Sequence, residues 1–514
     1  MSLFLRVAVA AIILSIPCAA VAAWHEARSN HFIVYADLKP AELRAYAERL
    51  ERFDQAVRSV RGMDDPALTD SQRLTVYALR SERAVSRLAG SSAARGFYNA
   101  RLSGASAFVP RRTDLDGFDW ALDTQEIFFH EYAHHLQLQF STYALPAWVI
   151  EGFAEFFATA KLEKNGSVVI GHPPQYRAYG LFNLTGLKLE DLLGGTYGRL
   201  NDDQTELLYG KGWLLTHYLT FEPRRKGQLA DYANSIQRGD SAIASARSAF
   251  GDLKALDREL NAYMRGKLSG VRVKAERLSV GPIAIRALGA GEAAIMDIHI
   301  RSRSGVDEKT APAVAADARK AATPYPNDPF VQSAVAEAEY DAGNFAEAEV
   351  AADRALAANP NYVRALIYKG RARMGLATAD TGKADWKAIR GIFARANRLD
   401  TENAEPLMLF YESYLYSGER PTKNAIEGLL YAVALAPQDN ELRVNAVRQM
   451  LLDSRFDDAR KLFSVLAFRP HAPEKYRESN AKIMAAIAAR DDKSALSALE
   501  AAMNADEREE QERR

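Results

Sequence analysis

His130-Glu131-Tyr132-Ala133-His134, followed by Trp148-Val149-Ile150-Glu151-Gly152-Phe153-Ala154-Glu155, is the stretch on which the reading of this 514-residue chain turns. On an α-helix, residues four apart share a face, so His130 and His134 can aim both imidazoles at one cation. Glu131 sits one position round, beside the side that such a cation leaves open. Glu151 follows His134 by 17 positions on what reads as the next helix, and is the expected third ligand. Two imidazoles, one carboxylate and a position kept for water make the usual protein shell of a catalytic zinc ion. The spacing therefore predicts Zn2+ as cofactor, held by His130, His134 and Glu151, with Glu131 as general base toward the water. Glu155 lies one turn beyond Glu151, placed to bond the far nitrogen of a ligand histidine.

Working outward, a helix from about Asp123 to Phe140 carries the histidine pair, with Asp123 or Thr124 as its cap, and Pro146 suits the first position of the next helix. Upstream, His31–Tyr35, Leu74–Leu79 and Ala105–Val109 read as strands. Pro40 to Arg61 reads as a helix with Leu43, Tyr46, Leu50, Phe53 and Val57 on one face. Between them, Leu88 to Gly104 is rich in Gly, Ser and Ala, and Thr113 to Asp119 is acidic and loop-like. Downstream come a strand at Val168–Ile170 and helices at Glu206–Phe221 and Gln228–Arg238. Strands followed by helices predict an α+β domain over residues 24–270.

Residues 271–290 read as a linker, and from about Gly291 the chain becomes Ala-rich and helical. Pro326-Asn327 and Pro360-Asn361 stand 34 residues apart, with Gly343-Asn344-Phe345-Ala346-Glu347-Ala348 and Ala355 between them. Turn-like points near Thr401, Pro437 and Pro470 follow, with Ala377 to Lys383 as an insertion that stretches one interval. The pattern resembles tetratricopeptide (TPR) repeats: small residues where two helices touch, an aromatic filling the gap, a proline at the helix end. Such repeats bury their apolar faces only by stacking, so an all-α solenoid is expected over 291–505. Residues 506–514 carry charge without an apolar stripe and read as a frayed tail.

Sixty-six basic residues balance sixty-six acidic ones, which removes any global field for nucleic acid or an anionic membrane surface. The first 23 residues contain one charge, Arg6, an apolar run from Val7 to Ile16, and Ala20-Val21-Ala22 as a cleavage site, with Val21-Ala22-Ala23 one step later as its rival. They read as a secretory signal peptide, with retention as an anchor the other possibility. Cys18 is the only cysteine, so beyond the signal no disulfide or thiolate chemistry is available. A cysteine-free exported chain suits a bacterial periplasm or secretion.

His-Glu-x-x-His with a downstream Glu-Gly-Phe-Ala-Glu resembles the gluzincins, the peptidase MA-like clan of zinc peptidases. The stretch Tyr209-Gly210-Lys211-Gly212-Trp213 resembles the tyrosine-bearing helix of gluzincin aminopeptidases, which implies that Tyr209 donates to the oxyanion of the tetrahedral intermediate. The pairing of such a domain with TPR repeats resembles a set of bacterial exported proteins. The resemblance implies a zincin-like α+β metallopeptidase domain followed by the solenoid. The loop between His134 and Glu151 is slightly shorter than in the aminopeptidases, and no Gly-Ala-Met-Glu-Asn-type segment binds a free amine. Endopeptidase action on a protein or peptide is therefore expected before aminopeptidase action, with the repeats binding substrate or a partner protein. The alternative is an envelope scaffold in which the repeats do the work and the zinc domain only recognises or supports.

Overall fold

The computed structural model describes residues 24–91, 94–111, 124–140, 145–195, 200–379, 384–467 and 474–513, without the side chains of 138–140, 474–477 and 504–513. The expected signal peptide with Cys18, the acidic stretch at 113–119, the Asp123 cap, Asp380–Lys383 of the insertion and the turn at Pro470 lie outside the described residues.

The first unit contains strands β1 (His25–Arg28) and β2 (Phe32–Ala36), helix α1 (Pro40–Arg61), β3 (Leu74–Leu79), α2 (Glu82–Leu88), β4 (Phe97–Asn99) and β5 (Ser106–Pro110). Next come α3 (Thr124–Phe140), α4 (Ala147–Ala158), β6 (Lys161–Leu162), β7 (Val168–Ile170), α5 (Ala178–Asn183), α6 (Leu189–Gly194) and α7 (Asp202–Phe221). It closes with α8 (Gln228–Arg238), α9 (Ala242–Phe250), α10 (Leu253–Met264), β8 (Val271–Val273) and β9 (Ala284–Ala287). One sheet runs β4-β5-β3-β2-β1-β9, with β2, β3 and β5 parallel and the outer strands antiparallel. A small antiparallel sheet runs β6-β7-β8.

Alternation along the strands decides the two faces of the main sheet. Phe32, Val34, Leu74, Val76, Ala107 and Val109 enter the core shared with α1, α3 and α4. The opposite face carries Phe97, Phe108, Tyr77 and Tyr35 in neighbouring register. Their rings stack pairwise across four strands, at centroid distances of 4.7, 5.1 and 5.6 Å. Each such pair adds about 0.5–1.5 kcal/mol beyond its buried area. Helix α4 is buried on nearly every side, as an apolar helix at the centre of a domain must be. Pro146 serves as its N-cap rather than its first turn.

The stretch 271–290, expected as a linker, instead supplies β8 and β9, which pair with β7 and β1. Val271-Arg272-Val273 and Ala284-Ile285-Arg286-Ala287 are too short to stand out as strands; partners far upstream make them so. Helix α11 (Ala290–Ser304) then lays Met296 and Ile300 on the aromatic face of the main sheet.

Beyond it the chain is helical hairpins: α12 (Ala311–Ala322), α13 (Pro329–Asp341), α14 (Phe345–Ala358), α15 (Val363–Ala379), α16 (Trp386–Leu399), α17 (Ala404–Tyr416), α18 (Lys423–Leu435), α19 (Asn440–Leu452), α20 (Phe456–Ala467), α21 (Glu474–Ala488) and α22 (Asp492–Arg513). Ala348, Ala351, Ala352 and Ala355 let α14 approach its neighbours, and Phe345 fills the space over Gly375. These stacked pairs form a TPR-like helical region. Alternating charge stitches its helices: Arg364 of α15 reaches Glu337 of α13 at 2.5 Å, and Arg371 reaches Glu405 of α17 at 2.8 Å. Where a frayed tail was expected, the backbone of α22 continues to Arg513. Among the described residues no helix is long and apolar enough to cross a membrane.

Candidate metal centre

Helices α3 and α4 pack side by side and bring the two halves of the motif together. His130 Nε2 and His134 Nε2 lie 3.1 Å apart, and each is 3.5 Å from Glu151 Oε2. Zinc holds imidazole nitrogen and carboxylate oxygen at about 2.0–2.1 Å, so donors at tetrahedral corners stand about 3.3 Å from one another. The three atoms form a triangle of that size, and the donor set has the chemistry the ion prefers. Both rings keep some exposure, at 17% and 15%, whereas Glu151 is 3% exposed. The triangle is thus backed by protein and open on its histidine side.

Glu155 Oε1 lies 3.6 Å from His130 Nδ1, on the far side of that ring from Glu151 Oε2. Two residues that sequence reasoning missed hold this carboxylate: Tyr176 donates to Oε2 at 2.9 Å, and Arg177 Nη2 donates to Oε1 at 2.8 Å. Arg177 also pairs with Glu206 of α7, and its guanidinium stands 4.7 Å over the Tyr209 ring. Nothing local marks Tyr176 and Arg177, which stand just after Pro173-Pro174 and meet α4 only through the fold. Burial disfavours the charged form of His130, but Glu151, Glu155 and Glu131 outweigh it and raise its pKa to about 9. Any cation bound there displaces a proton.

Tyr209 stacks its ring 6.0 Å from that of His130. Burial, then Glu151, push its phenol well above the ordinary value, so it stays protonated as a donor. Glu131 is half-buried and close enough to raise the pKa values of Tyr98, Tyr209 and His130 by its charge. His217, on the same helix as Tyr209, is fully buried. It bonds Tyr263 Oη at 2.9 Å and the carbonyls of Ser269 and Gly171 at 2.9 and 3.0 Å, so it ties α7 to the small sheet and stands outside the centre.

Tyr209 reaches the site because α4 and α7 touch backbone to backbone. A Cβ on Gly152 would lie 2.3 Å from Gly212 O, and one on Gly212 would lie 2.9 Å from Trp148 O. The glycines in Glu151-Gly152 and Gly212-Trp213 are thus the contact that sets Glu151 and Tyr209 on facing helices.

Beneath α3 sits a second cluster, His31, Glu51 and Asp54. It is a network of ion pairs. His31 Nδ1 meets Glu51 at 2.7 Å, His31 Nε2 meets Asp65 at 2.7 Å, and Arg58 Nε donates to Asp54 at 2.8 Å. Burial lowers the His31 pKa and the neighbouring carboxylates more than reverse it, and each ring nitrogen faces one of those carboxylates. Tyr132, inside the motif, donates to Asp54 Oδ1 at 2.6 Å and roots α3 in this network.

No family model matches the chain, and no curated protein matches it. Among solved structures it is similar to a thermophilic TPR protein of Thermus thermophilus, at 19% identity and TM-score 0.32, over 37% of this chain and 97% of that one. It is also similar to pilF of Pseudomonas aeruginosa, at 15% identity and TM-score 0.31, over 41% of this chain and 90% of that one. Likenesses this faint add nothing to the site, and the repeat character of the C-terminal half is carried by its own stacked hairpins.

Proposed function

We propose that the chain is a gluzincin-type zinc peptidase of the bacterial envelope, periplasmic or secreted, which cleaves peptide bonds within protein or peptide substrates. The observation that carries this reading is the triangle of His130, His134 and Glu151 with Glu155 behind His130. When bound, zinc supplies Lewis acidity, which acidifies water and polarises a carbonyl. The chain's own residues do the rest. Glu131 takes the proton from water on its carboxylate and delivers it to the leaving amine. Tyr209 offers its phenolic proton where negative charge develops on the carbonyl oxygen. Glu155, held by Tyr176 and Arg177, keeps the His130 ring in one orientation. The solenoid binds a partner protein or guides substrate to the cleft.

The test is a peptide-library digest of zinc-loaded protein beside Glu131→Gln. Cleavage by the first, lost in the second with zinc retained, is the expected result. Equal cleavage by both removes Glu131 from the mechanism, and zinc binding without cleavage of any peptide favours the scaffold alternative.

A further inference from the structure

Hairpin tips ordinarily stand in solvent, yet the tip between β4 and β5, Ala100 to Gly104, is half-buried throughout. The surfaces that bury it belong to the solenoid. Leu102 packs against the core of α17, α18 and α19. The Asp439 carboxylate that caps α19 feels the Leu102 backbone: burial raises its pKa, and the backbone groups of Leu442 and Leu102 oppose that rise. Arg303, at the end of α11, donates to Ser103 Oγ at 2.8 Å and to the carbonyls of Ser103 and Gly104 at 3.0 and 3.4 Å. Asn99 Nδ2 donates to Ser304 O at 3.1 Å, and the Arg101 charge acts on Asp341 of α13. An apolar side chain, a hydroxyl, two carbonyls and a cation of the tip each find a partner, as a bound peptide does.

The same hairpin touches the metal helix at its other end. Tyr98 Oη lies 2.9 Å from His135 Nδ1, and His135 directly follows His134. The His135 ring in turn lies 5.5 Å from that of Tyr132. Strand β4 is three residues long and, among the described residues, pairs on one side only. So short an edge strand holds its place weakly by its own ladder, and the buried tip supplies the missing anchorage.

We propose that the solenoid surface formed by α11, α17 and α19 is a recognition site for an Arg-Leu-Ser-Gly turn whose resident ligand is the chain's own hairpin, and that this occupancy positions the metal helix through Tyr98. Leu102 and Tyr98 are positioning residues; neither touches a reacting atom.

The inference rests on the metal reading for one of its two readouts only. Hydrogen exchange and zinc affinity, by chelator competition, are measured on the full chain and on Leu102→Asp, Tyr98→Phe and the double variant. Withdrawing the tip should speed amide exchange in β4 and in α3 about tenfold, because both lose the same support. Zinc should weaken about tenfold in Leu102→Asp and less in Tyr98→Phe, in the range of other changes behind metal ligands. The double variant should be no weaker than Leu102→Asp alone, since both changes cut one arm. Exchange confined to residues 100–104 with zinc affinity unchanged overturns the proposal, as does full additivity of the two changes. If Leu102→Asp does not fold, Leu102→Ala carries the same outcomes at about threefold. A wild-type chain that takes no zinc defeats the metal reading, and the exchange data alone then decide the arm.

Discussion

Replacing Gly152 by alanine tests the crossing on which the centre depends. The new Cβ would lie 2.3 Å from Gly212 O, 2.6 Å from Gly212 C and 2.6 Å from Thr216 Oγ1. Two of these atoms are backbone, so a side-chain rotation cannot relieve the clash. Helices α4 and α7 must part by about 1 Å to restore an ordinary carbon–oxygen contact, loosening the packing of Trp148, Phe156 and Trp213 at the seam. Overpacking of this kind costs about 1–3 kcal/mol, and the upper end applies where backbone must move. Alanine returns up to about 1 kcal/mol through its better helix propensity, leaving a net loss near 2 kcal/mol. In a domain of this size that lowers the melting temperature by about 4–8 °C. Because Glu151 adjoins Gly152, the same displacement opens the triangle, and zinc affinity should fall about tenfold or more. Thermal unfolding with and without zinc, with chelator competition, reads both quantities. Gly212→Ala strains the same seam from the other side, and the two changes together should cost less than their sum. A Gly152→Ala protein as stable as wild type, with unchanged zinc affinity, would falsify the backbone contact as the device that sets Glu151.

Zinc at about 100 times its dissociation constant should add about 2.7 kcal/mol to unfolding, and this increment should vanish in His130→Ala; its persistence there sinks the ligand assignment. Burial, and then Glu441, raise the Glu412 pKa to about 8. A carboxyl with a raised folded pKa contributes stability at low pH that is lost as pH climbs from about 4.5 through 8, so Glu412→Gln should match wild type at pH 5 and exceed it by at least about 1 kcal/mol at pH 8.5. Urea unfolding that shows the variant weaker at pH 8.5 refutes the sign. Tyr132→Phe removes one donor from buried Asp54 and should cost about 1–3 kcal/mol, measured in urea; a neutral result dismisses the root of α3. Arg177→Ala strips Glu155 of its cation and should destabilise by about 1–3 kcal/mol, while lysine restores part of the loss; equal stabilities for the two variants count against the pairing.

The elements legible from periodicity were those that carry their own signal. Leu43, Leu50, Phe53 and Val57 recur at helical spacing and lie buried on α1, and His130 and His134 share a face because four residues nearly complete one turn. Glu151 was expected beside the pair from its spacing, and the crossing of α3 and α4 brings its Oε2 within 3.5 Å of both rings. What eluded local reading was made by distant partners. Strands β1, β4, β8 and β9 are three or four residues long, and only their ladders distinguish them from loop. Arg177 and Tyr98 are an arginine after a turn and a tyrosine in a small-residue stretch; their roles exist only once α4 and α3 stand beside them. Gly152 and Gly212 stood within the quoted motifs, yet their value as a helix contact depends on both being seen at once.

The late strands β8 and β9 bear on how this protein is made. A nascent chain that has passed residue 270 already holds every member of the candidate centre, but β1 and β7 still offer bare edges to any neighbouring polypeptide. Those edges are sealed only when residues 271–287 emerge, and α11 follows at once to cover the aromatic face. Translation pausing before that point, or a fragment cut there, would leave a unit with its chemistry assembled and its flanks adhesive.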